Sequence, residues 1–191
     1  MIFLLLGDVG GQSYYHVGDE AIMTARVDWL RQNFPEAQLL IYSKKPTFTS
    51  KIHGCSSIAV PATLKKNRFL YKLPWRVITI FTPQIKCLAK WLRITKLEQL
   101  VAVCSVDLLW FCGGGNINSS CSGLVQLRTT LAHIAIACDV PVIVTGQTIG
   151  PELNHADSQL LRSWLPKVHT LGVRDQKNSV ELAKSLGVST K

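Results

Sequence analysis

The chain has 191 residues, 47 % of them hydrophobic and only 17 % charged, enough apolar material for one well-buried core and too much for a disordered chain. No apolar run approaches the roughly 18 residues that a membrane-spanning helix needs. The net charge of +9 is local: nine of the 21 basic residues fall between Lys65 and Lys96 with no acid among them, and the remainder is balanced.

In chain order, residues 1–6 read as a first buried strand, too short and without the basic flank of a signal sequence. The strand ends in GDVGG. A helix capped by Asp19 or its neighbour follows from the spacing of Ile22, Ala25, Trp29, Leu30 and Phe34, and Pro35 stops it. Residues 38–42 predict a second strand, 43–57 a loop and 58–60 a short third strand. A basic helical insertion occupies about residues 62–101. Within it Thr82-Pro83 opens an amphipathic helix with Ile85, Leu88, Ala89 and Leu92 on one face and Lys86, Lys90 and Arg93 on another.

The apolar run at 107–112 predicts a strand that stops at a loop, Gly113-Gly114-Gly115-Asn116. A helix over about 123–138 and a strand over 140–145 come next, then a loop over 146–151. A helix over 157–165, a strand over 170–173 and a helix over 178–186, stopped by Gly187, complete the pattern. Strands and helices in alternation imply an α/β fold with a doubly wound, Rossmann-like parallel sheet in a single domain, residues 1–191. The six cysteines contain no C-x-x-C pair and several lie in apolar runs, which favours free thiols in a reducing cytoplasm and no zinc site.

Three strand ends with glycine-rich tips direct the search for a site to one edge of that sheet. At the first, the glycines permit close backbone approach, and the amides at the start of the helix after Gly18 suit an anion. The spacing is not G-x-G-x-x-G, which counts against a dinucleotide. Asp19 and Glu20 serve equally well as first-turn acids complementing the helix dipole or as functional carboxylates. His16 is the one histidine beside a glycine-rich loop, and the five histidines have no metal spacing, so no metal is expected. The triple glycine and Asn116 make either a tight turn or a cradle for phosphate or sugar. Gln147 is placed to hydrogen-bond a polar ligand. Arg174 suits bidentate capture of a carboxylate or phosphate, against the plainer alternative of a surface pair with Asp175 or Glu181.

Four blocks in one order carry a resemblance: GDEAI at 18–22, the strand with GGGN at 107–116, GQTIGP at 146–151, and VRDQKNS at 173–179 with LGV at 186–188. They resemble the polysaccharide pyruvyl transferases. The resemblance implies the first domain of a GT-B-like fold. It also implies transfer of the enolpyruvyl unit of phosphoenolpyruvate to two hydroxyls of a cell-surface glycan, in exopolysaccharide or cell-wall biosynthesis. A pyruvate ketal forms and phosphate leaves; phosphoenolpyruvate is a co-substrate, and no cofactor is implied. Its implied site has Asp19, Glu20 and His16 as the titratable groups and Gly18, Gly113, Gly114, Gly115, Asn116, Gln147, Gly150 and Arg174 as binding groups. Arg174 would hold the donor and Asp19 or Glu20 would orient the acceptor.

The sequence departs from the family at His16, where an asparagine is usual, and at Ser119 and Ser120, where many members carry an aspartate. The family's second, C-terminal domain has no counterpart, so catalysis is expected to need a second wall from another domain, a partner chain or a homo-oligomer. Two other readings stand beside this one: half of a GT-B glycosyltransferase using a nucleotide sugar, and a non-catalytic domain that binds glycan or phosphate. The basic helix suits peripheral contact with an anionic membrane bearing a lipid-linked saccharide on the cytoplasmic face, or a core-packed helix with a solvated face. Nucleic acid is not expected, because the aromatics of the segment are not spaced as a stacking platform.

Overall fold

The computed structural model describes residues 1–11, 16–60, 99 and 102–189. The basic insertion and its amphipathic helix lie outside the described residues.

Six strands form one parallel sheet: β1 (Ile2–Leu6), β2 (Gln38–Ser43), β3 (Ser56–Ala59), β4 (Leu108–Ile117), β5 (Val142–Ile149) and β6 (Thr170–Val173), in the order β3-β2-β1-β4-β5-β6. This is the Rossmann order, with the chain doubling back between β1 and β4. Among the described residues the α-helices are α1 (Val17–Asn33), α2 (Pro46–His53), α3 (Ser122–Ala137), α4 (His155–Arg162) and α5 (Asn178–Ser185).

The continuous apolar runs of β1 and β4 are explained by burial on both faces. Phe3 and Leu5 point toward α1 and pack with Met23, Val27 and Leu30. Leu4 and Leu6 point the other way, into a larger core with Leu131 of α3, Leu161 of α4 and Ala183 of α5. The doubly wound α/β expectation therefore holds. Among the described residues, no helix is long and apolar enough to cross a membrane.

Three elements differ from the sequence reading. The glycine-rich segments after the fourth and fifth apolar runs are not loops. β4 continues through Gly113-Gly114-Gly115-Asn116 to Ile117, and β5 continues through Gly146 and Gln147 to Ile149, with Gly114 opposite Gln147 and an irregular register beyond it. Neighbouring ladders supply hydrogen bonds that local composition does not advertise. The other difference is α2, within a stretch read as loop. Its signals are Pro46 at the first helical position and Gly54 in the left-handed region at its end (φ 60°). They were present in the sequence but outweighed by a sparse apolar pattern.

Candidate functional site

At the switch point, the helix after β1 leaves on one face of the sheet and the helix after β4 on the other. Their carboxyl ends therefore open a crevice. Charged groups from five places in the chain gather there. Asp8 follows β1, His16 caps α1, Asp19 lies in its first turn, Lys44 follows β2, and Arg128 comes from α3. Asp8 contacts the Lys44 ammonium and lies 3.9 Å from Nε2 of His16. Burial raises the Asp19 carboxyl above its ordinary value and the Asp8 charge adds to the effect, while His16, Arg128 and Lys44 oppose it. An acid poised in this way among cations is suited to proton transfer.

The glycines of β4 let Asp19 come close. A Cβ on Gly114, whose φ is +102°, would lie 3.1 Å from both Asp19 Oδ1 and Asn116 Nδ2. Asp19 and Asn116 thus flank one stretch of bare backbone, and the buried Asn116 Nδ2 has no hydrogen-bond partner among the described residues. Gly115 is exposed, and nothing lies within 4 Å of where its side chain would be; the same open space surrounds Gly18 in the first turn of α1. These positions leave amide and glycine backbone open to a ligand.

Glu20, adjacent to Asp19 in sequence, points elsewhere. It is 3 % exposed, and both carboxylate oxygens are engaged: one accepts the Gly10 N–H at 2.8 Å, the other lies 2.9 Å from His53 Nε2. His53 Nδ1 reaches Thr24 Oγ1 at 3.3 Å. Glu20 thereby fastens the β1 loop to α1 and α2, with the Lys44 N–H donating to the Val9 carbonyl from the β2 side. The expectation that Asp19 and Glu20 are alternatives for one role does not survive this geometry, because consecutive helix positions face about 100° apart.

Three further binding candidates are spread along the sheet edge. Gln147 is 0 % exposed, and its side-chain N–H donates to the Gly113 carbonyl, so it buttresses β4 rather than facing the crevice. Gly150 packs its backbone against Leu182 of α5. Arg174 is exposed at the end of β6, its N–H donating to the Gln147 carbonyl at 2.9 Å, and its side chain makes no ion pair among the described residues. Asp175 does not pair with it; its carboxylate accepts the N–H groups of Asn178 and Ser179 at 2.9 Å each and caps α5. Ser119 donates to the buried Asp157 at 2.7 Å and so ties the end of β4 to α4.

Asp8, Lys44, Arg128 and His53 were not singled out in the sequence. Asp8 had a signal, an acid inside a glycine-rich tip. Arg128 had a fainter one, a lone cation on the core face of an apolar helix. Two larger concavities, of about 470 and 860 Å³, lie at the amino ends of β1 and β2 and along β6; neither is lined by a carboxylate. The charged cluster, not either of these hollows, brings carboxylates and cations together.

The strand order defines a Rossmann-like, doubly wound fold, with the charged cluster at its switch point, at the carboxyl ends of β1 and β4. A family described as Polysaccharide pyruvyl transferase matches residues 16–191, from the cap of α1 onward and over most of the chain. The chain belongs to the polysaccharide pyruvyl transferase family, a family of transferases. No curated protein matches it.

Proposed function

We propose that the protein takes part in transfer of the enolpyruvyl unit of phosphoenolpyruvate to two hydroxyls of a glycan. One sugar hydroxyl adds to the enol carbon as the methylene carbon gains a proton; the second hydroxyl displaces phosphate, which leaves with the second proton. The chemistry asks for a group that can take or return a proton beside a polar backbone cradle, together with cations for the donor. The observation that carries the reading is Asp19 beside Gly114 and Asn116, with its carboxyl raised by burial and by Asp8.

In this reading Asp19 orients and deprotonates the acceptor hydroxyl, and His16 and Asp8 set the charge around it. Arg174 holds the donor. It stands two strands from β4, where Asp19 lies against Gly114, about 10 Å at the usual strand spacing, a gap that the arginine side chain and the donor together span so that the enol carbon meets the acceptor hydroxyl. Glu20 acts through the loop it fastens, as a positioning residue. The test is phosphate release from phosphoenolpyruvate in the presence of an oligosaccharide acceptor, with the ketal methyl group followed by NMR. Phosphate release without a ketal would turn the assignment toward hydrolysis. Release from a nucleotide sugar instead would turn it toward glycosyl transfer.

A further inference from the structure

The reading above leaves one charged group without a role. Arg128 sits in α3, 2 % exposed, among residues that pack into the core. Its Nε is buried without a hydrogen-bond partner, and it has no carboxylate at ion-pair distance among the described residues. Lys44 already contacts Asp8. The fields of Asp8 and Asp19 reach Arg128, but neither carboxylate touches it. Burial lowers the guanidinium to about 10, which leaves it cationic at neutral pH.

An uncompensated buried cation is expensive, and an apolar residue of similar volume at such a position is commonly neutral or stabilising. Arg128 also lines a partly open cavity of about 20 Å³ with Asp8, Lys44, Leu6, Leu124 and Leu127, mostly apolar in its walls, at the carboxyl end of β1. That is space for about one water-sized atom. It is too small for a sugar ring or a whole phosphate group, but it accommodates a single oxygen projecting from either.

We propose that Arg128, with Lys44 lining the same cavity, binds one terminal oxygen of a phosphate or carboxylate entering from the β1–β4 crevice. The oxyanion supplies a counter-charge in contact with Arg128, which no carboxylate among the described residues provides, and Arg presents it planar, directed N–H groups. Asp8 faces the same cavity, but its charge is met by Lys44. On the pyruvyl transfer reading, on which this choice of sources rests, the oxyanion belongs either to the donor or to a sugar-phosphate acceptor.

Thermal unfolding of the 191-residue chain tests the proposal, with inorganic phosphate, phosphoenolpyruvate, pyruvate and a hexose 1-phosphate as separate probes. At a hundredfold excess over Kd, a bound anion should raise Tm by roughly 5–10 °C. Arg128→Met should match or exceed the wild-type Tm in anion-free buffer and lose the shift. A lower Tm for Arg128→Met in anion-free buffer with the phosphate shift retained overturns the proposal, as does a wild type that responds to none of the probes. If Arg128→Met does not fold, Arg128→Lys decides. Its phosphate shift falls by at least half on the proposal and is unchanged if Arg128 serves only the fold. A shift with phosphoenolpyruvate and not with hexose 1-phosphate assigns the site to the donor, and the reverse to the acceptor. Arg128-dependent binding without turnover of phosphoenolpyruvate keeps the site and removes pyruvyl transfer. Turnover with no Arg128-dependent shift does the opposite.

Discussion

Two adjacent acids in the first turn of α1 have been given opposite environments. Asp19 is half-buried and faces the glycines of β4; Glu20 is buried against α2 and the β1 loop. Their variants should separate. Asp19→Asn should lower kcat by about 10²- to 10⁴-fold, the range for a lost acid–base group. Its stability should also respond to pH differently. The folded state holds the Asp19 proton more tightly than the unfolded chain. The resulting stabilisation is therefore present in full below 3.8, the ordinary value, and is lost as pH rises through the higher folded value. Denaturant titrations between pH 3.5 and 7 should show the wild type losing ground to Asp19→Asn across that interval. Glu20→Ala strands both Gly10 N–H and His53 and should cost about 3 kcal/mol, the scale of a broken buried pair; Glu20→Gln, which still accepts from Gly10, should cost less. Equal effects of the two Glu20 variants in urea would mean that the hydrogen bond from Gly10, which glutamine keeps, contributes nothing.

At the level of elements, α2 matters because it delivers His53 to Glu20 and so fixes the loop that carries Asp8. Gly54 ends α2 in the left-handed region, and Gly54→Ala should destabilise by about 1 kcal/mol in equilibrium unfolding. Gly18 is the contrasting case: it is exposed, without positive φ and with open space around it. Gly18→Ala should gain about 0.5–1 kcal/mol of stability. The same methyl sits over the amides at the start of α1 and should raise the KM of whichever substrate docks there. Unchanged KM would place substrate away from that helix end. α5 carries a pH dependence of the other sign from Asp19. Hydrogen bonds from Ser179 hold the Asp175 carboxyl below its ordinary value, so its contribution is present above 3.8 and lost as pH falls through the lower folded value. Asp175→Ala should remove that acid-side loss of α5 helicity.

Across the whole molecule, the sheet is a rigid bar with the charged cluster at its middle and Arg174 toward one end. β1 and β4 are flanked by strands on both sides, whereas β3 and β6 are the outermost strands among the described residues. Amide hydrogen exchange should therefore be slowest in β1 and β4 and fastest in β3 and β6, since local opening draws on the least-packed elements. The different roles of the two residues also predict a kinetic split. Arg174→Ala should raise the KM for phosphoenolpyruvate with a smaller effect on kcat, while Asp19→Asn does the reverse. Matching kcat losses from both would mean that Arg174 acts on the reacting group and does not only bind the donor.

Alternation of apolar runs with helical periodicity was sufficient to imply the parallel sheet, because a strand buried on both faces can be built only from continuous apolar residues and leaves that record locally. The four family blocks likewise located the family. Partners at long sequence separation left no such record. Glu20 and Asp19 are indistinguishable as neighbouring acids until α2 brings His53 to one and β4 brings Gly114 to the other. The triple glycine looks like a loop until β5 offers it a ladder. Arg128 reads as one cation in an apolar helix until the fold buries it beside Asp8 and Lys44 with no carboxylate in contact. Burial, pairing and the direction of a side chain depend on what the chain folds against, and those were decided by the tertiary structure alone.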